Sequence, residues 1–298
     1  MHKTGSSSLQ RMFLLNHSWF NKNQIFYPLA YENHSSLVVP AYKVQLDDYP
    51  HAVELVCSRS RQKLNSLKDS CKRILSDIFS LSWDGTVVLS GEDISSALTK
   101  EEKYLLLCDV SKYFDKVSII AFVRPPSSWI KSSIAQEMRN RCIYEELIEN
   151  SVLKQRVMPR YQDRFSAFVG FCAKNVRTYL YLFDTDFTSR NYFVSHLLRH
   201  LDILLDDLPF EVPHLNASMS PAGQHYINFL NHCFPSLDYH LPHPGWRTDA
   251  VLIADRMQSN LDVTPLIKDF HVDRIKNDVT DDTAWMANVL GVDIQNLE

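Results

Sequence analysis

Met1-His2-Lys3-Thr4-Gly5-Ser6-Ser7-Ser8-Leu9-Gln10 is the stretch on which the reading of the fold turns. A basic residue, one glycine and consecutive hydroxyls lie ahead of an apolar run with helical spacing. They supply backbone N–H groups, a cation and side-chain donors at a helix N-terminus, the physical recipe for holding a phosphoryl or sulfuryl group. Ser6 or Ser7 can cap the helix, which Leu9, Met12, Phe13 and Phe20 extend over 7–20. The loop has a single glycine, with its lysine ahead of it, and so lacks the GxxxxGK[ST] spacing of nucleoside-triphosphate loops. A serine-rich terminal tail is the bland alternative, and the direct passage into an amphipathic helix argues against it.

Outward from the loop, residues 21–56 read as irregular, with turns at Tyr27-Pro28 and Tyr49-Pro50. Residues 58–80 carry Leu64, Leu67, Cys71, Ile74, Leu75 and Ile78 on one helical face. Thr86 to Ser90 forms a short apolar strand entering Gly91-Glu92-Asp93, and 100–114 keeps helical spacing. Ser118 to Val123 is a buried strand stopped by Arg124-Pro125-Pro126, and Pro126 begins a helix reaching about Asn150. Helical residues 159–174 lead to a strand over Thr178–Phe183, then a helix near 189–204, a loop at 206–218 and a helix after Ser220-Pro221. His240, Pro242, His243 and Pro244 suggest a long loop, and Asp282 to Leu290 a closing helix. Unbroken apolar strands alternating with helices imply a parallel sheet covered on both faces, with ligands beyond the C-terminal strand ends. Tyr104 to Asp109 imitates a strand ending in a magnesium-binding aspartate, but its helical continuation to Phe114 makes it a helix.

The chain of 298 residues is 45% apolar and 22% charged, the profile of a soluble globular protein. Its net charge of −4 argues against a general nucleic-acid binder, so an anion site must be built locally. No apolar run approaches the ~20 residues of a membrane span. Six scattered cysteines form no CxxC pair and read as reduced thiols of a cytoplasmic protein.

The order His-Lys-Thr-Gly-Ser-Ser-Ser-Leu-Gln resembles the 5′-phosphosulfate loop of the sulfotransferases, closest to the bacterial sulfotransferase-like proteins. A second element strengthens the resemblance. Val123-Arg124-Pro125 ends a strand, and Ser132, with Ser133 beside it, stands eight residues after Arg124, as in that family. A guanidinium at a strand end and a hydroxyl on the next helix can clamp a phosphate. A third match is Ser90-Gly91-Glu92. Weaker echoes are Asn216 to Ser220, which equally serves as a helix cap, and Trp285 with Val289-Leu290-Gly291.

The resemblance implies a single domain over 1–298 with an α/β fold: a three-layer α/β/α sandwich with a mostly parallel sheet, of P-loop type. Its first strand is missing from this chain. Because the family usually carries that strand before the loop, the expectation is a natural start about ten residues earlier. The implied donor is 3′-phosphoadenosine 5′-phosphosulfate, with no metal. Its 5′-phosphosulfate would be held by Lys3, Thr4, Gly5, Ser6, Ser7 and Ser8, with His2 beside them, and its 3′-phosphate by Arg124 and Ser132. Lys3 would offset charge on the bridging oxygen as the sulfuryl group leaves. Glu92 is one candidate base for the acceptor, or else an acid placed against a helix dipole. His34 is the competing base, or else a loop histidine. Residues 21–56 and 235–280 would face the acceptor, a small molecule or glycan bearing a hydroxyl or amine. The alternatives are a P-loop kinase using magnesium and ATP, and an inactive member that binds without turnover.

Overall fold

A computed structural model describes residues 6–81, 84–183, 192–212, 219–234, 245–257 and 263–292. In chain order the elements are α1 (Ser6–Leu15), α2 (His17–Lys22), β1 (Ile25–Phe26), α3 (Ser35–Tyr42), α4 (Pro50–Val56), α5 (Arg61–Phe79), β2 (Thr86–Val87), α6 (Ile94–Ala97), α7 (Lys100–Tyr113) and β3 (Val117–Val123). There follow α8 (Pro126–Arg139), α9 (Tyr144–Glu149), α10 (Ser151–Val157), α11 (Tyr161–Val169), β4 (Val176–Leu182), α12 (Tyr192–Arg199), α13 (Pro221–Cys233), α14 (Gly245–Arg256), α15 (Asp269–Asn277) and α16 (Thr280–Leu290). By its internal contacts the chain divides into two compact units. One comprises Met1–Val123 and Gln162–Asn216, the other Arg124–Tyr161 and Ala217–Glu298.

The fold is mixed α/β with small parallel sheets, which among the described residues lie in the first unit. β1 pairs with β2 (Ile25 opposite Thr86, Phe26 opposite Val87), and β3 pairs with β4 from Val117–Val176 to Val123–Leu182. Both pairs are parallel, as unbroken apolar runs separated by helices require. Among the described residues they remain two separate sheets of two strands.

In the first unit, Leu9, Met12 and Phe13 of α1 and Phe20 of α2 bury against Ile25, Tyr27, Val194 and Leu198. Phe13 stacks on Tyr27 with ring centroids 5.0 Å apart. Each such side chain removed from water contributes about 1.5–3 kcal/mol, so this packing, more than helix propensity, holds α1 in place. α5 buries Leu64, Cys71, Leu75, Ile78 and Phe79 along one face. α7 begins with a reciprocal cap: Thr99 Oγ1 accepts the Glu102 N–H at 3.3 Å, and Glu102 Oε2 accepts the Thr99 N–H at 2.8 Å. The other Glu102 oxygen accepts the Val44 N–H at 2.5 Å, so a carboxylate only 3% exposed fastens α7 to the end of α3.

In the second unit, α8 starts at Pro126 and buries Trp129, Ile130, Ile134 and Met138. Asn231 of α13, wholly buried, donates to the Met138 and Cys142 carbonyls at 2.9 and 2.7 Å. Ser220 caps α13 by accepting the Gly223 N–H, as a Ser-Pro start predicts. Gly223 itself meets the Ala254 carbonyl of α14, leaving no room for a Cβ.

Several boundaries differ from the sequence reading, each with a local cause. The helix expected over 7–20 breaks at Asn16, whose side chain donates to the Met12 carbonyl at 3.0 Å. The helix expected from Pro126 to Asn150 stops at Arg139, and Arg141 turns the chain with φ 78°. That expected over 159–174 begins at Tyr161, after Arg160 at φ 52°, and ends at Val169. The segment read as irregular at 21–56 holds β1, α3 and α4, and the one at 235–280 holds α14 and α15. α3 was obscured by Pro40 in its interior, which cannot bond the Ser36 carbonyl; the Cys71 thiol donates to that carbonyl instead, at 3.8 Å. No described helix is long and apolar enough to cross a membrane.

Candidate functional site

The groups singled out in the sequence distribute over both units. In the first unit, His2, Lys3, Thr4 and Gly5 lie outside the described residues, and α1 starts at Ser6. Ser7 is half-buried and Ser8 is 5% exposed, so these two hydroxyls sit on the opening turn of a well-packed helix. One turn on, Gln10 Nε2 donates to Ser90 Oγ at 3.2 Å. Gln10 is only 4% exposed, and this bond ties the first turns of α1 to the chain leaving β2.

Ser90 is held from a second side by His34, the residue capping α3. The His34 N–H donates to the Ser90 carbonyl at 2.8 Å, and the Ser90 N–H donates to His34 Nδ1 at 3.0 Å. The imidazole proton is therefore assigned to Nε2, which donates to the Pro28 carbonyl at 2.7 Å. The ring is fully buried against Tyr27, and burial holds its pKa below the usual histidine value despite the Pro28 bond. Both ring nitrogens are spent inside the fold, and a base needs a lone pair facing its substrate. That corrects the base reading of His34: the residue positions Ser90 and joins α3 to the β2 end.

Gly91 follows where backbone must pass close to backbone. A Cβ there would come within 2.8 Å of the Ser35 nitrogen, Ser35 Oγ and Ile94 Cδ1. Ser35 Oγ also accepts the Asp93 N–H at 2.9 Å, and Asp93 Oδ2 accepts the Tyr49 hydroxyl at 2.9 Å. Glu92 stands half-buried between these two anchors, with its main chain constrained on either side.

In the second unit, Arg124 is the residue immediately after β3. Its carbonyl accepts the Tyr161 hydroxyl, and the Tyr161 N–H is taken by Asp282 at 2.6 Å. Burial pulls the guanidinium down to about 10, the direction expected of a cation removed from water. Such a desolvated cation gains from an anionic ligand more than an exposed arginine does. Ser132 lies half-buried on the second turn of α8. Asn216 to Ser218 lie outside the described residues, and Ser220 caps α13.

Sequence reasoning missed Gln10 as the link to Ser90, although both residues stood inside the quoted motifs. It also missed a second polar trio in the first unit. Ser36 Oγ lies 2.8 Å from His51 Nε2, and His51 Nδ1 lies 3.5 Å from Glu54 Oε2. The order imitates a nucleophile, a base and an acid. The first-turn N–H groups of α3 that could receive an oxyanion are engaged by Asn33 and His34, so the trio reads as a fastening of α4 to α3. Asp109, the imitation magnesium ligand, sits on α7 and accepts from the Tyr42 hydroxyl and from Lys112.

No family model matches the chain, and no curated protein or solved structure resembles it at a significant level.

Proposed function

We propose that the chain is a sulfotransferase that moves a sulfuryl group from 3′-phosphoadenosine 5′-phosphosulfate to a hydroxyl or amine of a small molecule or glycan. The observation that carries the reading is the opening turn of α1. A loop of the order His-Lys-Thr-Gly-Ser-Ser-Ser leads into a helix that core packing and the Gln10–Ser90 bond hold at the C-terminal end of a parallel strand. Anions are favoured at such helix starts by the aligned N–H groups and the positive dipole end. The parallel strand pairs support a P-loop-type three-layer α/β/α arrangement as the frame.

In this reading Lys3 and the backbone and hydroxyls of Thr4 to Ser8 hold the 5′-phosphosulfate, with His2 alongside. Arg124 and Ser132 hold the 3′-phosphate, which distinguishes the donor from ordinary nucleotides. The acceptor oxygen or nitrogen attacks sulfur in line, forming the new bond to sulfur as the bond from sulfur to the bridging phosphate oxygen breaks. The acceptor's proton goes to Glu92, and the negative charge left on the bridging oxygen is met by Lys3. Glu92 takes this part because it follows a strand end and its backbone is fixed by Gly91 and Asp93.

The nucleotide product, adenosine 3′,5′-bisphosphate, tests the assignment by thermal shift. It raises the melting temperature of the wild-type chain, and Arg124→Ala removes the shift while leaving the unliganded melt cooperative. A shift with Mg-ATP and none with the bisphosphate would make the protein a kinase instead. Bisphosphate binding without sulfate transfer to any acceptor would make it a nucleotide-binding protein.

A further inference from the structure

Between Cys57 and Arg73 the chain carries six cations and one acid, Asp69, against a net charge of −4 for the whole. Arg59, Arg61, Lys63, Lys72 and Arg73 are exposed, and Lys68 is half-buried. Among the described residues none of the five exposed cations pairs with a carboxylate, whereas Arg11, Lys112 and Lys131 elsewhere on the surface do. Their placement works against the helix that holds them. Arg61 and Lys63 stand in the first turn of α5, at the positive end of its dipole, with no acid in that turn. Lys68 and Lys72 are a like-charge pair one turn apart, and burial together with Lys72 holds the Lys68 pKa below its usual value. The acids near Lys68 do not cancel this. Glu102 is engaged by the Thr99 and Val44 N–H groups, and Asp69 is exposed. An anion lying along α5 would relieve each of these repulsions.

Three of the charges form a row. Arg61, Asn65, Lys68 and Lys72 follow one another at i, i+4, i+7 and i+11 and so share one side of α5. At ~1.5 Å per residue the three cations lie about 10 and about 6 Å apart along the axis. Lys68 Nζ also donates to the Lys43 carbonyl at 2.6 Å, which fixes this side of α5 against the end of α3. Lys63 and Arg73 project from other sides of the helix. The surroundings of the charges decide the ligand. The stretch has no aromatic residue on which a nucleobase could stack. Its apolar side is buried, with α5 packed on α3, so it cannot enter a lipid surface. A protein partner would need an apolar core to its interface, and the exposed neutral groups here are Ser60, Gln62, Asn65, Ser66 and Ser70 beside Cys57. Amides and hydroxyls set among cations suit a ligand that is itself anionic and rich in hydroxyls.

We propose that the row Arg61, Asn65, Lys68 and Lys72 is a docking surface for an acidic polysaccharide, a linear chain bearing carboxylate or sulfate groups. Its anionic groups meet the three cations through charge-assisted hydrogen bonds, and the Asn65 amide takes a sugar hydroxyl between them. The inference rests on the charges of α5 alone and stands whether or not the chain transfers a sulfuryl group.

Calorimetric titration of the full chain with polygalacturonate, dextran sulfate and neutral dextran, at physiological salt, tests it. One or both acidic polymers bind, and neutral dextran does not. Arg61→Gln combined with Lys72→Gln weakens that binding by about tenfold. Lys63→Gln combined with Arg73→Gln removes the same charge off the row and weakens it by less than about threefold. All four side chains are exposed, so both double variants fold as the wild type does, which their melting temperatures check. Binding of neither acidic polymer, or equal losses in the two double variants, would overturn the inference. Tighter binding of single-stranded DNA, polyglutamate or phosphatidylserine vesicles would equally overturn it, making the row a surface for nucleic acid, protein or lipid instead.

Discussion

At the scale of single residues, His34 and Gly91 show how the end of β2 is held. His34 is neutral and buried, with Nδ1 accepting from Ser90 and Nε2 donating to Pro28. Its folded pKa lies below the ordinary 6.5, so the unfolded chain binds the extra proton first. The stability tied to neutral His34 is whole above pH 6.5 and falls as the pH drops below it. His34→Asn keeps the bond to Ser90 but not the titration. Its urea midpoint is lower than wild type at pH 7.5, and the gap narrows by pH 5.5; a constant gap would contradict the assigned ring state. Gly91→Ala puts a methyl group against Ser35 backbone. Overpacking of this kind costs about 1–3 kcal/mol, read as a lower melting temperature, whereas an unchanged melt would show that α3 yields freely.

At the scale of elements, α7 depends on its cap. Thr99→Ala removes one accepted N–H and costs about 1 kcal/mol. Glu102→Ala costs more, because the one buried carboxylate that accepts both the Thr99 and the Val44 N–H groups is lost. Chemical denaturation of the two variants checks the order, and equal losses would show that Val44 finds another partner. α7 was legible because both its cap and its period stand in the sequence. So were α5, β3, β4 and α16, each announced by an unbroken pattern. The breaks at Arg141 and Arg160 were not, because positive φ in a non-glycine residue has no composition signal and is imposed by packing. α3 escaped notice for a different reason: a proline that ordinarily ends a helix sits inside it, with the Cys71 thiol on the carbonyl it leaves. Of the candidate site, the strand-end groups at Ser90, Glu92 and Arg124 could be read from apolar runs stopping at polar residues. The occupation of both His34 nitrogens could not, since it depends on Pro28 and Ser90, which only the folded chain brings to it.

At the scale of the whole molecule, the proposed function gives the donor two sets of contacts, the loop with Lys3 and the pair Arg124 and Ser132. A ligand that needs both parts is bound only when both are intact, which makes its binding a test of the account as a unit. Titration calorimetry of the full chain with adenosine 3′,5′-bisphosphate, in the presence of a metal chelator, is the most direct such measurement. The account predicts saturable one-to-one binding that survives the chelator, is lost in Arg124→Ala and is weakened by at least tenfold in Lys3→Ala, about 1.4 kcal/mol. Binding of Mg-ATP with no heat from the bisphosphate, or equal bisphosphate binding by wild type and Arg124→Ala, would contradict it.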